Sequence, residues 1–339
     1  MKKFLQIEDL EALSVGVTLL GSGGGGDPYP DLLRTKELFM RKGPCQIIDS
    51  EELEPDALVV PVAFMGAPLV STEKLPSGVE CLALLELIKK YCQKEPKALV
   101  AAEIGGANAF VPLALGSMTG LPVIDGDTLG RAFPELHMSS CALHGISASP
   151  GFFSDSLGNS VVVHVDSAKK LELYARSLSE VMGSSVACAI YLLTAVEAKR
   201  ALVPKTLTGA IEIGKQLMAK NFPCVRLGKG HLIDVQQDIQ GGFLTGKVQI
   251  LGDCLYEVEF QNEYLLAKSE EKVLASTPDI IAIIEEESGM PLSVERLRFG
   301  LSVELVALSA PKIWQSADAL KIVGPRAFGY AVDYKEVKA

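Results

Sequence analysis

Three acidic residues stand just after short apolar runs of the kind that form buried strands. Glu103 follows the run 98–102, and Asp125 and Asp127 follow the run 121–124. Side chains two residues apart point to the same side of an extended chain, and Glu103 should emerge from a neighbouring strand. Carboxylates gathered in one cleft raise the pKa of one member, which suits a general acid or base, or they bind a cation. We therefore predict that these three residues are catalytic.

Small and polar residues near these acids could bind a substrate. Gly105, Gly106 and Asn108 come soon after Glu103, and small residues allow the main chain to approach a ligand closely. Arg131 follows the two aspartates and could anchor an acidic substituent through its guanidinium group. The alternative is structural: the aspartates would cap turns, and Glu103 would pair with Arg131.

A second arginine, Arg326, stands among turn and aromatic residues in the segment 324–330. It could reach back to a substrate carboxylate, which a guanidinium group binds through two hydrogen bonds. An exposed salt bridge explains it equally well. The pair Asn262 and Glu263, which follows a predicted strand, has the same two interpretations.

A glycine-rich tract containing Gly23, Gly24, Gly25 and Gly26 lies between two predicted helices. Successive main-chain N–H groups followed by a helix N-terminus predict an anion-binding nest, and a flexible loop is the alternative. Asp27 is expected to cap the following helix, with substrate contact as a second interpretation. No strand precedes the tract and no Gly-Lys-Ser/Thr follows it, so we expect no nucleotide cofactor.

Two histidines are weak candidates for metal ligands. His137 and His144 are seven residues apart and could complete a metal site with Asp125 or Asp127. Histidines with a structural role are the more common case, so the sequence leaves a need for a divalent metal open. There is no Gly-x-Ser-x-Gly motif and no cysteine with an adjacent activating residue, which argues against a nucleophile.

The hydrophobic pattern predicts the elements that position these residues. Continuously apolar runs at 58–64, 98–102 and 121–124 predict strands buried on both faces, and helical segments separate them. This order implies parallel pairing. We predict an α/β domain over residues 1–165, with a mainly parallel sheet flanked by helices. An α+β domain over residues 166–339 would begin with helical segments and continue as strands.

Composition excludes several classes of protein and partner. The chain has 339 residues, of which 48% are hydrophobic, so it is not disordered, and its net charge of −10 argues against nucleic acid. Seven scattered cysteines suit a reducing cytoplasm, where we expect the protein to be. The apolar stretches 12–20 and 186–196 predict buried helices, because acids precede the first and the second is too short to cross a membrane. A homo-oligomer is left open.

Six separated strings carry a family resemblance. They are LGSGGGGDPY (20–29), VAFMGAPLVSTEKL (62–75), EIGGAN (103–108), LPVIDGDTLGRAFPEL (121–136), FQNEYLLA (260–267) and VGPRAFGY (323–330). Together they resemble the S-methyl thiohydantoin desulfurase family, long catalogued as a domain of unknown function, from about residue 8 to residue 334. Several strings in the right order are far more specific than any one of them.

The resemblance implies a two-domain protein and an activity known for part of the family. In this activity the methylthio group is removed from an S-methylated thiohydantoin, a small molecule, which gives methanethiol and a hydantoin. Family members are often encoded beside hydantoinase/oxoprolinase-type enzymes, so the alternative is a non-catalytic subunit or ligand-binding partner of such an enzyme. The family usually has glutamine where this chain has His137, which weakens a metal role.

That reaction needs a base to activate water, an acid to protonate a ring nitrogen and donors to hold the developing charge. We expect Asp125 or Asp127 to be the base, and Glu103, kept neutral by burial and by like charge, to be the acid. Asn108 and the glycine nest would orient the ring carbonyl, and Arg131 would anchor an acidic substituent. The chain is thus predicted to be a hydrolase acting on a small heterocycle.

Overall fold

The computed structural model describes residues 3–66, 70 and 73–338, so part of the string 62–75 lies outside the described residues. Packing divides the chain into two compact units. The first contains the residues up to Glu11, Gly26–Gly130 and Glu135–Gly209, and the second contains Ala12–Gly25, Arg131–Pro134 and the residues from Ala210 onwards.

Ten strands of the first unit form one mixed sheet. They are β1 (Lys3–Phe4), β2 (Gln46–Ile48), β3 (Leu58–Gly66), β4 (Pro96–Ala101), β5 (Val123–Asp127), β6 (Gly151–Ser154), β7 (Ser160–Val163), β8 (Ser185–Ala189), β9 (Leu193–Thr194) and β10 (Val203–Pro204). Their order is β1–β2–β5–β4–β3–β8–β6–β7, with β9 beside β3 and β10 beside β5. The three predicted strands are β3, β4 and β5.

Parallel pairing is confined to the middle of this sheet, so the prediction of a mainly parallel sheet is only partly correct. Strands β2, β5, β4 and β3 pair in parallel, as expected for strands joined through helices. The outer strands pair antiparallel; β6 and β7, for example, are joined by a short turn that permits no other pairing. The stretch 186–196, predicted as a buried helix, is mostly strand, because periodicity does not separate short buried strands from helices.

Helices lie between and after these strands along the described chain. They are α1 (Asp9–Leu20), α2 (Tyr29–Lys42), α3 (Val79–Cys92), α4 (Val111–Thr119), α5 (Ser140–Leu143), α6 (Ala168–Val181), α7 (Ala195–Ala201) and α8 (Thr206–Met218). Helix α3 packs on β6 and β8, and α6 packs on β3 and β8. Between them and the sheet lies a core that includes the fully buried Val59, Val100, Phe153 and Leu171. No helix of the described residues has the length and apolar character needed to cross a bilayer.

The second unit contains an antiparallel sheet, in agreement with the predicted strand-rich C-terminal half. Its strands are β11 (Val225–Gln240), β12 (Phe243–Leu251), β13 (Leu255–Gln261), β14 (Glu263–Ser269), β15 (Lys272–Ser276), β16 (Ile280–Glu285), β17 (Pro291–Leu292) and β18 (Ser302–Leu308), and helix α9 (Ala317–Val323) follows them. The order is β15–β14–β13–β12–β11–β18–β16–β17. One face buries Leu232, Val258, Ile283 and Leu305 completely.

Helices α1 and α8 approach each other through glycines within the second unit. A Cβ atom at Gly16 would lie 1.8 Å from the carbonyl oxygen of Ala210, and one at Gly214 would lie 1.7 Å from the carbonyl oxygen of Ala12. No real Cβ atom approaches an oxygen so closely. Two helix backbones can therefore be this near only because both positions lack a side chain.

Candidate active site

The loop that carries Glu103 is held at two points by the end of β5. The Asp127 carboxylate accepts a hydrogen bond from the N–H of Ile104 at 2.9 Å. The Thr128 hydroxyl donates to the carbonyl of Ala102 at 2.6 Å. Glu103 lies between these two anchored residues, so the ends of β4 and β5 together fix its main chain.

Asp127 is fully buried, with 0% of its surface exposed. Besides Ile104, the N–H groups of Leu129 and Gly130 donate to its carboxylate at 2.9–3.1 Å. Burial raises the pKa of Asp127 to about 7, although these main-chain N–H groups favour the ionised form and oppose the shift. The enclosed Asp127 side chain holds the loop after β4 and the loop after β5. Because none of its surface is open to a substrate, its geometry fits a positioning residue.

The raised pKa of Asp127 predicts a pH-dependent stability. Between about pH 4 and about pH 7 the folded chain keeps a proton on this carboxyl that the unfolded chain has lost. Its stabilising contribution is therefore complete below about pH 4 and is lost as the pH rises towards 7. We expect Asp127→Asn to remove this part of the slope, measured as the free energy of unfolding by urea at several pH values.

The exposed Asp318 on helix α9 offers a control, because its lowered pKa, due to the Lys321 ammonium group, keeps it ionised over this range. Asp318→Asn should retain the wild-type slope. An Asp127→Asn slope equal to that of wild type would show that Asp127 does not titrate there.

Asp125 is engaged with the first turn of helix α8. Its Oδ1 atom accepts a hydrogen bond from the N–H of Thr208 at 3.0 Å, and its Oδ2 atom accepts one from the Thr208 hydroxyl at 2.8 Å. The N–H of Lys205 donates to the Asp125 carbonyl. Both aspartates lie within β5, although the sequence predicted them just after this strand. Their carboxylates bind different segments. The structure thus gives Asp125 the geometry of a helix cap.

Glu103, like Asp125, is half-buried. Burial, followed by the charges of Glu172 and Glu103, raises the pKa of the Cys188 thiol to about 12. The Glu103 carboxylate therefore lies within electrostatic reach of the buried side of the sheet. A carboxylate between solvent and an apolar interior is well placed to exchange a proton with a bound molecule.

The residues after Glu103 connect the site to β3. Gly105 and Gly106 are buried, and Gly106 has the positive φ (+80°) that glycine adopts without strain. The N–H of Phe64, in β3, donates to Asn108 Oδ1 at 2.8 Å. Within residues 3–66, 70 and 73–338, no acceptor receives a hydrogen bond from Asn108 Nδ2. The structure thus joins β3, β4 and β5 at one edge and leaves the Asn108 Nδ2 donors available to a ligand.

The glycine-rich tract is bonded to the sheet of the second unit. The Ser22 hydroxyl donates to the carbonyl of Ile281 at 2.8 Å. The N–H of Tyr264 donates to the Ser22 carbonyl, and the N–H of Val294 donates to the Gly23 carbonyl. Three separate segments of this unit therefore hold the first part of the tract in place.

Two of the glycines are required by close packing. A Cβ atom at Gly23 would lie 2.6 Å from the Tyr264 ring, and one at Gly24 would lie 2.1 Å from a carboxylate oxygen of Glu263. Glu263 is only 3% exposed. The sequence leaves a substrate contact and an exposed salt bridge equally open for Glu263, since nothing in the local pattern indicates a buried carboxylate packed against a glycine.

The end of the tract is more accessible. Gly25 and Gly26 are half-buried and have φ values of +77° and +74°. Asp27 accepts a hydrogen bond from the N–H of Tyr29, the first residue of α2, at 3.0 Å. The prediction that Asp27 is the N-cap is wrong, because Pro28 occupies that position, although the Asp27 carboxylate still bonds to the first residue of the helix.

Arg131 is fully buried in the second unit. Its Nη1 group donates to the carbonyls of Pro278 and Asp279 at 2.8 and 2.6 Å, and its Nε group donates to the carbonyl of Ala132. The guanidinium carbon lies 4.7 Å from the centre of the Phe133 ring. These contacts bind main-chain carbonyls, so the geometry of Arg131 is that of a structural clamp.

Replacing Arg131 with methionine should lower the free energy of unfolding by about 2 kcal/mol, because buried carbonyls lose their donors. Arg326 provides the control: it is exposed and forms an ion pair with Asp333 at 2.7 Å. Arg326→Met should change stability by less than about 0.5 kcal/mol. Urea unfolding of the three proteins tests this, and equal stabilities would contradict the clamp.

The two candidate histidines contact neighbouring residues of the chain. His137 Nδ1 is 3.3 Å from a Glu135 carboxylate oxygen, and burial, assisted by Lys169, lowers the His137 pKa. His144, which follows helix α5, has its Nδ1 atom 2.9 Å from the carbonyl of Ser140 in that helix. Among the residues that the structure describes, no group of three or more histidine, cysteine, aspartate or glutamate side chains is arranged to hold a metal ion.

A cavity of about 250 Å³ lies in the second unit. Its described lining includes Phe222, Cys224 and Arg226 and none of the predicted site residues. The cavity is therefore separate from the candidate catalytic and binding residues.

Comparisons with known proteins give a family and a fold. Two family models match the chain: the S-Me-THD-like N-terminal domain matches residues 8–165, and the S-Me-THD-like C-terminal domain matches residues 166–337. A crystal structure of a protein from Chromobacterium violaceum has a TM-score of 0.85 and 24% sequence identity, over 99% of this chain and 100% of that one. At this identity the likeness shows the fold alone. No curated protein matches the chain.

Proposed function

Because the chain belongs to the S-Me-THD-like family, we propose that it removes the methylthio group from an S-methyl thiohydantoin by hydrolysis. The main support for this proposal is the fixed position of Glu103, whose neighbours Ala102 and Ile104 are hydrogen-bonded to Thr128 and Asp127. Such anchoring suits a group that must meet a bound substrate in one orientation.

The proposed reaction balances with water as the only co-reactant. A water oxygen forms a bond to the ring carbon that carries the methylthio group, and the carbon–sulfur bond then breaks. The carbon becomes the second carbonyl of a hydantoin. One water proton stays on the ring system and the other leaves with the sulfur as methanethiol.

In this proposal Glu103 transfers the protons. Its carboxylate removes a proton from the attacking water and then returns it to the departing sulfur, as one general acid–base group can do in successive steps. This revises the sequence-based assignment, since Asp127 is enclosed and Asp125 bonds to helix α8. Both would act by positioning.

Binding is assigned to the residues that follow Glu103. Asn108 would donate a hydrogen bond from Nδ2 to the ring carbonyl, because its Oδ1 atom already accepts one from Phe64. Gly105 and Gly106 would allow the ring to approach the main chain. Gly26 is proposed to contact an anionic group of the substrate. Arg131 has no role in substrate binding in this proposal, because its Nε and Nη1 groups donate to main-chain carbonyls.

Turnover of a model substrate tests the proposal. Purified protein is incubated with an S-methyl thiohydantoin, and methanethiol is followed with a thiol-reactive dye while the hydantoin is measured by chromatography. We expect equal amounts of the two products. A hydantoin without sulfur is the control for thiol release. Absence of both products under conditions in which the protein is folded would overturn the hydrolase proposal.

A further inference from the structure

The first sheet ends at an edge strand, β7, that lacks the usual protection against pairing with another chain. In the part of the chain that the structure describes, β6 is the only strand bonded to β7. The other three sheet edges are protected: β1 has two residues, one of them a lysine, β17 has two residues, one of them a proline, and β15 follows two glutamates and begins with a lysine. Charge, proline and short length all hinder edge pairing.

At four residues β7 is longer than β1 and β17, and the sequence around it lacks the other two features. Residues 157–165 (LGNSVVVHV) contain no aspartate, glutamate, lysine, arginine or proline. A second copy of this chain, although its net charge is also −10, would therefore meet no like charge from this strand.

The hairpin register indicates which main-chain groups of β7 point outwards. The N–H of Asp155 donates to the carbonyl of Asn159, so this pair is hydrogen-bonded across the turn. Hydrogen-bonded and non-bonded pairs alternate along an antiparallel ladder, and Ser160 and Val162 belong to the non-bonded pairs. Their N–H and C=O groups therefore point away from β6 and are directed at whatever lies beyond the edge.

Large apolar side chains next to this edge are exposed. Leu157, in the β6–β7 turn, is 84% exposed, and Val79 and Tyr91 of helix α3 are 48% and 47% exposed. Val79 lies near Gly158, and the Tyr91 hydroxyl lies 3.1 Å from His164 Nε2, just after β7. Directional main-chain groups and apolar surface thus occur together along the strand.

We infer that β7 pairs antiparallel with β7 of a second copy of this chain, so that two first-unit sheets form one continuous sheet about a twofold axis. With the axis at Val162, the Val162 groups of the two subunits bond to each other, and Ser160 faces His164 of the partner subunit. A second copy supplies an identical strand with the same unprotected edge, so the pairing needs no other protein. Antiparallel pairing of two identical strands closes with twofold symmetry.

The mass of the protein in solution tests this pairing. We expect light scattering after size-exclusion chromatography to give about twice the chain mass of 36.2 kDa at micromolar concentration. Val162→Lys places two like charges at the axis and should halve the mass. Val273→Lys, the same substitution in the edge strand β15, is the control and should leave the mass unchanged.

A second variant separates loss of pairing from loss of folding. Val162→Pro removes only the outward N–H, which the β6–β7 ladder does not use, and should also give the single-chain mass with a cooperative thermal transition. A wild-type protein with the mass of one chain would overturn the inference. A doubled mass retained by both folded Val162 variants would also overturn it. The measurement needs no substrate, so its outcome is independent of the proposed reaction.

Discussion

Replacing Glu103 with glutamine should lower the turnover of the proposed hydrolysis by about 10²- to 10⁴-fold, the usual worth of a general acid–base group. Glutamine keeps the size of the side chain but neither removes a proton from water nor returns one. The fold should be unaffected, because the loop is held through Ala102 and Ile104. The rate of methanethiol release at saturating substrate measures the loss.

A glutamate at the other end of the same strand gives a matched control. Glu95 directly precedes β4, is exposed and pairs with Lys89. Glu95→Gln makes the same chemical change at a distance from the proposed chemistry and should turn over as wild type does. If Glu103→Gln also kept the wild-type rate, Glu103 would have no part in proton transfer.

Replacing Gly214 with alanine should lower the free energy of unfolding by about 3 kcal/mol or more, at or above the upper end of the range for overpacking. The added Cβ would meet the Ala12 carbonyl oxygen at 1.7 Å, and main-chain atoms on two packed helices cannot rotate away as a side chain can. The helices would have to separate, which would also loosen the contact at Gly16. Urea unfolding gives the change in free energy.

Gly209, in the same helix, is the control for the helical propensity of alanine. A Cβ atom placed at Gly209 would have no described atom within 4 Å, apart from its chain neighbours and the backbone of its own helix. Gly209→Ala should therefore stabilise the protein by up to about 1 kcal/mol. A Gly214→Ala variant as stable as Gly209→Ala would mean that the close helix approach contributes nothing.

The strands that position the candidate site could be predicted because each is a short apolar run buried on both faces. The sequence placed β3 and β4 to within a few residues of their observed ends. Strand β5 was predicted to stop before Asp125, because the continuously apolar run ends at Ile124. In the structure the strand continues to Asp127, which pairs with Ala101 on one side and Val203 on the other.

The roles of individual side chains were less predictable, because they depend on contacts between distant parts of the sequence. Arg131 reads as a ligand for an acidic group until the carbonyls of Pro278 and Asp279, 147 and 148 residues away, are seen around it. Likewise, nothing near Asp127 in the sequence indicates that its carboxylate would be enclosed by the N–H groups of two loops. The family resemblance, in contrast, was confirmed along the whole chain.

The glycine-rich tract has a consequence for protein engineering. Runs of glycine are commonly used as pliable spacers, and such a run invites exchange for another spacer of equal length. Here Ser22 and Gly23 bond to three segments of the second unit, and Gly23 and Gly24 fit against Tyr264 and Glu263. The first part of the tract is a tightly packed segment whose residues are individually specified, so a grafted or redesigned version of this protein has to keep its order as well as its composition.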